Sequence, residues 1–206
     1  MKKPTKAHYN TIRRTSTLFF ADGESAEFYM RGGVCWPVIT DRSDTRDFEG
    51  YILMCGQNVQ TGVIQVFEQK NFVTIESILK DGAIAYQGIG PWLNSIWSRY
   101  FARDYYWHQE FQLHKRNLLQ IIRSPMVDPK PQFIEVPWID DQEAQMVVWH
   151  YVKTGKVQVE KESRLFEDLN IVKTTDKKSI PSVYALQCAL IGLEAFPYRK
   201  PFEEAV

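Results

Sequence analysis

The chain reads as an α+β protein, with a mostly antiparallel sheet in the N-terminal half packed by three or four helices from the C-terminal half. Three observations predict this. Up to residue 89, short runs rich in β-branched and aromatic residues recur between glycines. At "GIGPWLNSIW" the apolar spacing changes from strand-like to helical. Near the end, "SIPSVYALQCALIGLEAF" is almost wholly apolar, as a helix buried on most sides would be. Runs of strands followed by runs of helices define the class.

The first residues, Lys2, Lys3, Lys6, Arg13 and Arg14, carry five positive charges and no acid before residue 15. Residues 1–15 are therefore expected to be a basic, solvated arm ahead of one α+β domain at 16–206. Within residues 16–89, "TLFFA" is the first expected strand. "AEFYM" is expected to turn at Gly32-Gly33 into "VCWPVI", and "FEGYILMCG" and "GVIQVFE" follow as a pair. "NVQTG" suits a hairpin connection in which Asn58 or Gly62 supplies a positive φ. "FVTIESIL" reads as strand or short helix, and "AIAYQG" as a further strand.

The next helix is expected over residues 91–123, either continuous or broken near Ala102 to Asp104. Pro91 fits its first turn, and Leu93, Ile96, Trp97, Tyr100 and Phe101 recur at helical spacing. The prolines of "RSPMVDPKPQ" end it. "QFIEVPW" then alternates like a strand. A helix over 140–154 is signed by Asp140 as cap, Glu143 three residues on, and Gly155 at its close. "KVQVE" suits a short strand and "SRLFEDL" a short helix. The last helix, 180–196, has Ser179 as expected cap, Pro181 in its first turn and Pro197 beyond its end.

Composition excludes several classes of function. The 25 basic and 25 acidic residues cancel, so no global field recruits nucleic acid or a membrane. The longest apolar run, "YILMC", is far short of the roughly 20 residues that cross a bilayer. The start lacks the apolar stretch of a secretory signal. Three widely spaced cysteines, Cys35, Cys55 and Cys188, form neither a disulfide framework nor a zinc knuckle, which suits a reducing, cytoplasmic setting. "GIGPW" lacks the rest of any phosphate-binding pattern, and no cofactor is expected.

Chemistry concentrates in "YFARDYYWHQEF", residues 100 to 111, with six aromatic residues, a histidine and three charges. On one straight helix Asp104 and His108 share a face, inside the apolar stripe, within hydrogen-bonding reach. Most often such a pair is a satisfied core contact. Read as catalysis, Asp104 orients His108, which activates Cys35 from a loop after "RGG". No local motif signs that arrangement. Metal binding is disfavoured, because the Glu110–His114 pair points to another side of the helix, and His8 and His150 lack ligand-like neighbours.

Binding is the preferred reading. Tyr106 lies opposite the stripe and Trp107 on its shoulder, so these rings are expected to stay accessible beside Arg99, Arg103, Glu110 and Arg116. Tyr, Trp and Arg anchor protein interfaces. The expected activity is non-catalytic binding of a protein partner or a second copy of the chain. Single-stranded nucleic acid is the alternative, held by Arg13, Arg14, Arg99, Arg103 and Arg116. A cysteine/histidine hydrolase ranks behind both.

Overall fold

A computed structural model describes residues 2–35, 50–72, 89–102, 104–108, 132–136, 148, 150–172 and 180–194. Its strands are β1 (Pro4–Asn10), β2 (Thr15–Phe20), β3 (Ser25–Cys35), β4 (Gly50–Asn58), β5 (Ile64–Phe72), β6 (Asp104–His108), β7 (Gln132–Val136) and β8 (Val157–Gln158). The helices are α1 (Ile89–Tyr100), α2 (Arg164–Val172) and α3 (Pro181–Glu194), with a further helical turn at 150–153. The class is α+β, and five of the eight strands among the described residues fall before residue 73.

The sheet runs β1-β2-β3-β4-β5-β8, with β6 attached to β3 and β7 to β6. The pairings along β1 to β5 are antiparallel, whereas β3–β6, β6–β7 and β5–β8 are parallel. The sheet is therefore mixed: antiparallel across the N-terminal strands, as expected, with β6, β7 and β8 added in parallel. Strand β3 is long enough to take two partners on one edge. Ser25 to Phe28 pair with β2, and Gly32 to Val34 pair with β6. Strand β4 lies on its other edge and is buried from Gly50 to Gly56 without alternation. Continuous burial means that both faces of the sheet are covered there.

The Gly32-Gly33 pair makes no turn. Both residues lie mid-strand in β3, where their missing side chains admit other groups. A Cβ on Gly32 would stand 2.2 Å from the Tyr105 ring, and one on Gly33 would stand 1.7 Å from the Ala185 carbonyl oxygen. Successive strand residues face opposite sides, so α3 presses on the Gly33 face. The other face carries Phe28, whose ring meets Phe67 at 5.2 Å, and Phe67 in turn packs on Tyr100 at 5.5 Å. Helix α1 thus ends on the face opposite α3.

A β-bulge helps to place α1. Met54 pairs with Glu68 and Cys55 with Val66, which leaves Phe67 as the extra residue of β5. A regular strand would send Phe67 and Glu68 to opposite faces. Here both reach Tyr100, whose hydroxyl donates to Glu68 Oε1 at 2.9 Å.

The N-terminal arm is a strand. Thr5, Lys6 and His8 are exposed, while Ala7 and Tyr9 are half-buried, and β1 pairs with β2 across a turn at 11–14. The basic residues hide a one-sided strand from a reading by charge.

The helix expected over 91–123 stops at Tyr100. The Phe101 N–H donates to the Trp97 carbonyl at 2.8 Å with φ at 53°, and Asp104 to His108 then run extended between β3 and β7. "DYYWH" is rich in strand-forming aromatics, and a strand buried on both faces loses the alternation that would reveal it.

Several other elements stand as read. Gly62, at φ 70°, supplies the turn between β4 and β5, and the Asn58 carboxamide accepts from the Gln60 and Thr61 amides. Gly155, at φ 67°, closes the turn at 150–153, with Lys156 N bonded to Tyr151 O and Gly155 N to Val152 O. Helix α3 begins at Pro181, with Tyr184 N donating to Ile180 O at 3.0 Å. The elements expected at 36–49, 73–88, 109–131 and 137–147, with Ser179 and Pro197, lie outside the described residues.

Candidate interaction surface

The sequence candidates do not assemble as one site. As members of a strand, Asp104 and His108 have Cα atoms about 13 Å apart, four steps of roughly 3.3 Å, too far for a direct hydrogen bond. Asp104 instead lies 3.9 Å from the buried Arg31 guanidinium. Cys35 is the last residue of β3, not a loop residue, and is 6 % exposed. Val34 pairs with Trp107, so Cys35 and His108 each stand one step further along neighbouring strands. Burial nevertheless pushes the Cys35 thiol up to about 12. The thiolate is the nucleophile, and here the thiol is held protonated at neutral pH. Cys55 is likewise pushed up to about 12, and Cys188 is well above its ordinary value.

Tyr106 is 8 % exposed rather than accessible. Its ring lies over Gly192 of α3, where a Cβ would stand 2.4 Å away. The strand register, not a helical angle, decides which side it faces. The Trp107 backbone lies between Val34 and Glu135. Arg99 is half-exposed but engaged, with Nη1 2.8 Å from Glu68 Oε1 and Nη2 donating to Ser95 Oγ at 2.6 Å. Arg103, Glu110 and Arg116 lie outside the described residues.

What the structure does bring together is a different part of the aromatic stretch. Phe101, just past α1, stacks on Tyr9 of β1 with centroids 6.1 Å apart at 24°, and meets Trp97 edge-on at 5.4 Å. All three rings are half-buried. Ser16 Oγ donates to the Tyr100 carbonyl at 2.7 Å in a buried bond, fastening β2 to the end of α1. Tyr9 pairs with Ser16, so the turn of the β1–β2 hairpin rises beside these rings.

That turn is built to hold its shape. Asn10 Oδ1 accepts from the Ile12 and Arg13 amides, each at 3.1 Å. Arg13 Nη1 lies 3.7 Å from Glu27, whose other oxygen accepts from the Thr15 hydroxyl. Ile12 is left 93 % exposed at the tip, between Thr11 and the two arginines. Arg14 takes a φ of 54°.

Among the described residues, Arg14 and Phe101 are the two non-glycine positions with positive φ. Each costs about 1–2 kcal/mol relative to glycine's freedom there. Both border this one surface. Such conformations persist only where the surrounding structure holds them, here at the end of a hairpin turn and just past the last turn of α1. The sequence carried little signal for the site. Tyr9 and Phe101 are far apart in the chain, and the turn at 11–14 contains no glycine or proline.

Among the described residues no group of three His, Cys, Asp or Glu side chains is placed to hold a metal. No described helix is long and apolar enough to cross a membrane. Comparison with protein families, with curated proteins and with solved structures finds no match for this chain.

Proposed function

We propose that the chain is a non-catalytic interaction protein that binds a protein partner through Tyr9, Trp97 and Phe101 together with the hairpin tip at Ile12, Arg13 and Arg14. The observation that carries this reading is the pairing of strain with exposure. Two residues hold unfavourable backbone conformations around three half-buried rings and one fully presented isoleucine. Aromatic and arginine anchors ringed by apolar surface are the chemistry of protein hot spots. A reducing, cytoplasmic setting is part of the proposal, since all three cysteines are buried and in no disulfide.

Single-stranded nucleic acid is the weaker reading. Stacked rings beside arginines suit bases and phosphates. Arg13 and Arg99, however, already pair with Glu27 and Glu68, so of the described arginines proposed for phosphate only Arg14 forms no ion pair. A thiol-dependent hydrolase has less support still, because Cys35 is buried and protonated.

The test compares proteins co-purifying with the wild-type chain from its native cells against those held by Arg14→Gly and Trp97→Ala. Arg14→Gly relieves strain, so its fold is retained while the arginine is lost. The proposal expects a specific partner to be depleted in both variants with circular dichroism unchanged. An unchanged partner set would overturn it. Bound nucleic acid, released steeply between low and moderate salt, would favour the second reading.

A further inference from the structure

Strand β1 ends the sheet and pairs only with β2 among the described strands. Alternate N–H and C=O groups of such an edge strand point away from the sheet. The same strand carries Tyr9, so its open edge borders the Tyr9–Phe101–Trp97 rings. Its charge is one-sided. Lys2 is held by Asp22 and Glu24, but Lys3 and Lys6 are exposed and form no ion pair among the described residues. We infer that the outer edge of β1 accepts an extended, acidic segment of a partner protein as an added strand, whose apolar side chains reach the three rings and whose carboxylates face Lys3, Lys6 and Arg14. This deepens, and rests on, the reading of that surface as an interaction site.

Three occupants compete for the edge, and charge and backbone geometry separate them. A second copy of the chain would bring another positively charged strand to the edge, and like charges across paired strands are destabilising. A nucleic acid offers phosphates to the lysines but no peptide groups to the ladder. An acidic strand satisfies both, with main-chain bonds supplying affinity and alternate side chains supplying specificity.

The test uses the full chain and a short acetylated peptide of alternating glutamate with valine and tyrosine. A second peptide is N-methylated at alternate residues, which removes ladder donors while keeping charge and side chains. Saturable binding should slow amide exchange across residues 4–10. It should weaken about tenfold on N-methylation, and by a similar factor in Lys3→Gln/Lys6→Gln, as loss of charge-assisted contacts implies. Equal binding of both peptides, or binding without protection of 4–10, would overturn strand addition. If Trp97→Ala still abolished it, the ring surface would stand alone. Binding of oligothymidine but neither peptide would overturn both readings. A dimer seen by sedimentation, with amides 4–10 protected in the absence of peptide, would assign the edge to a second copy instead.

Discussion

At the scale of single residues, close approach and burial decide more than chemical reactivity. Gly33 and Gly62 separate two reasons for glycine. Gly33→Ala places a methyl against the α3 backbone, 1.7 Å from the Ala185 oxygen, and is expected to cost about 3 kcal/mol or more. Gly62→Ala meets no atom within 4 Å but must hold φ at 70°, at a cost of about 1 kcal/mol. Urea unfolding of the two variants ranks them, and a larger loss for Gly62→Ala would mean that α3 does not press on β3. The buried thiols give a second expectation. In the folded chain Cys35 and Cys55 sit near 12, against an ordinary value of 9.0 when unfolded. Above pH 9 the unfolded chain releases those protons and the native chain does not. Stability should therefore fall as pH rises from about 9 towards 12, by about 1.4 kcal/mol per pH unit for each thiol. Replacing both cysteines with alanine should make that limb of the stability curve less steep, the rest of the slope coming from Cys188 and the Tyr51, Tyr100 and Tyr105 hydroxyls, which burial also pushes up. An unchanged slope would mean the two thiols are not a cause.

At the scale of elements, the segment after Tyr100 carries the largest difference between expectation and structure. As a helix it would have left Tyr106 outside; as β6 it lays the ring over Gly192. Tyr106→Ala should accordingly cost about 3–5 kcal/mol, the penalty for emptying a large buried aromatic site. Thermal unfolding measures this, and a loss below about 1 kcal/mol, as for a surface position, would return Tyr106 to the surface. The change of element also explains why Asp104 and His108 part company. Neighbours four apart on a helix become remote on a strand, whereas Cys35 and His108, distant in sequence, come to adjacent strand positions. Strand β5 shows a related effect, since one extra residue at Phe67 turns two consecutive side chains toward α1.

At the scale of the whole molecule, stability should be graded outward from β3, β4 and α3. These elements hold Val34, Leu53, Met54, Ala185 and Leu190 at full burial, while β1 and the turn at 11–14 present most of their length to water. Amides of Ile52 to Cys55 are expected to exchange only on global unfolding, and those of β1 by local opening. Hydrogen exchange under native conditions tests this, and equal protection of β1 and β4 would contradict it. The sequence alone determined the α+β class, the strands around Leu18, Ile52 and Val66, the last helix with Pro181 in its first turn and the turns at Gly62 and Gly155, because period, proline breaks and positive φ act over a few residues. Only the tertiary structure decided that Gly32-Gly33 lies mid-strand, that residues 104–108 are extended, that the basic start is an edge strand, and that Tyr9 meets Phe101. Each of those outcomes depends on a partner remote in the chain, whose contacts outweigh local preferences worth a few tenths of a kcal/mol to about 1 kcal/mol per residue.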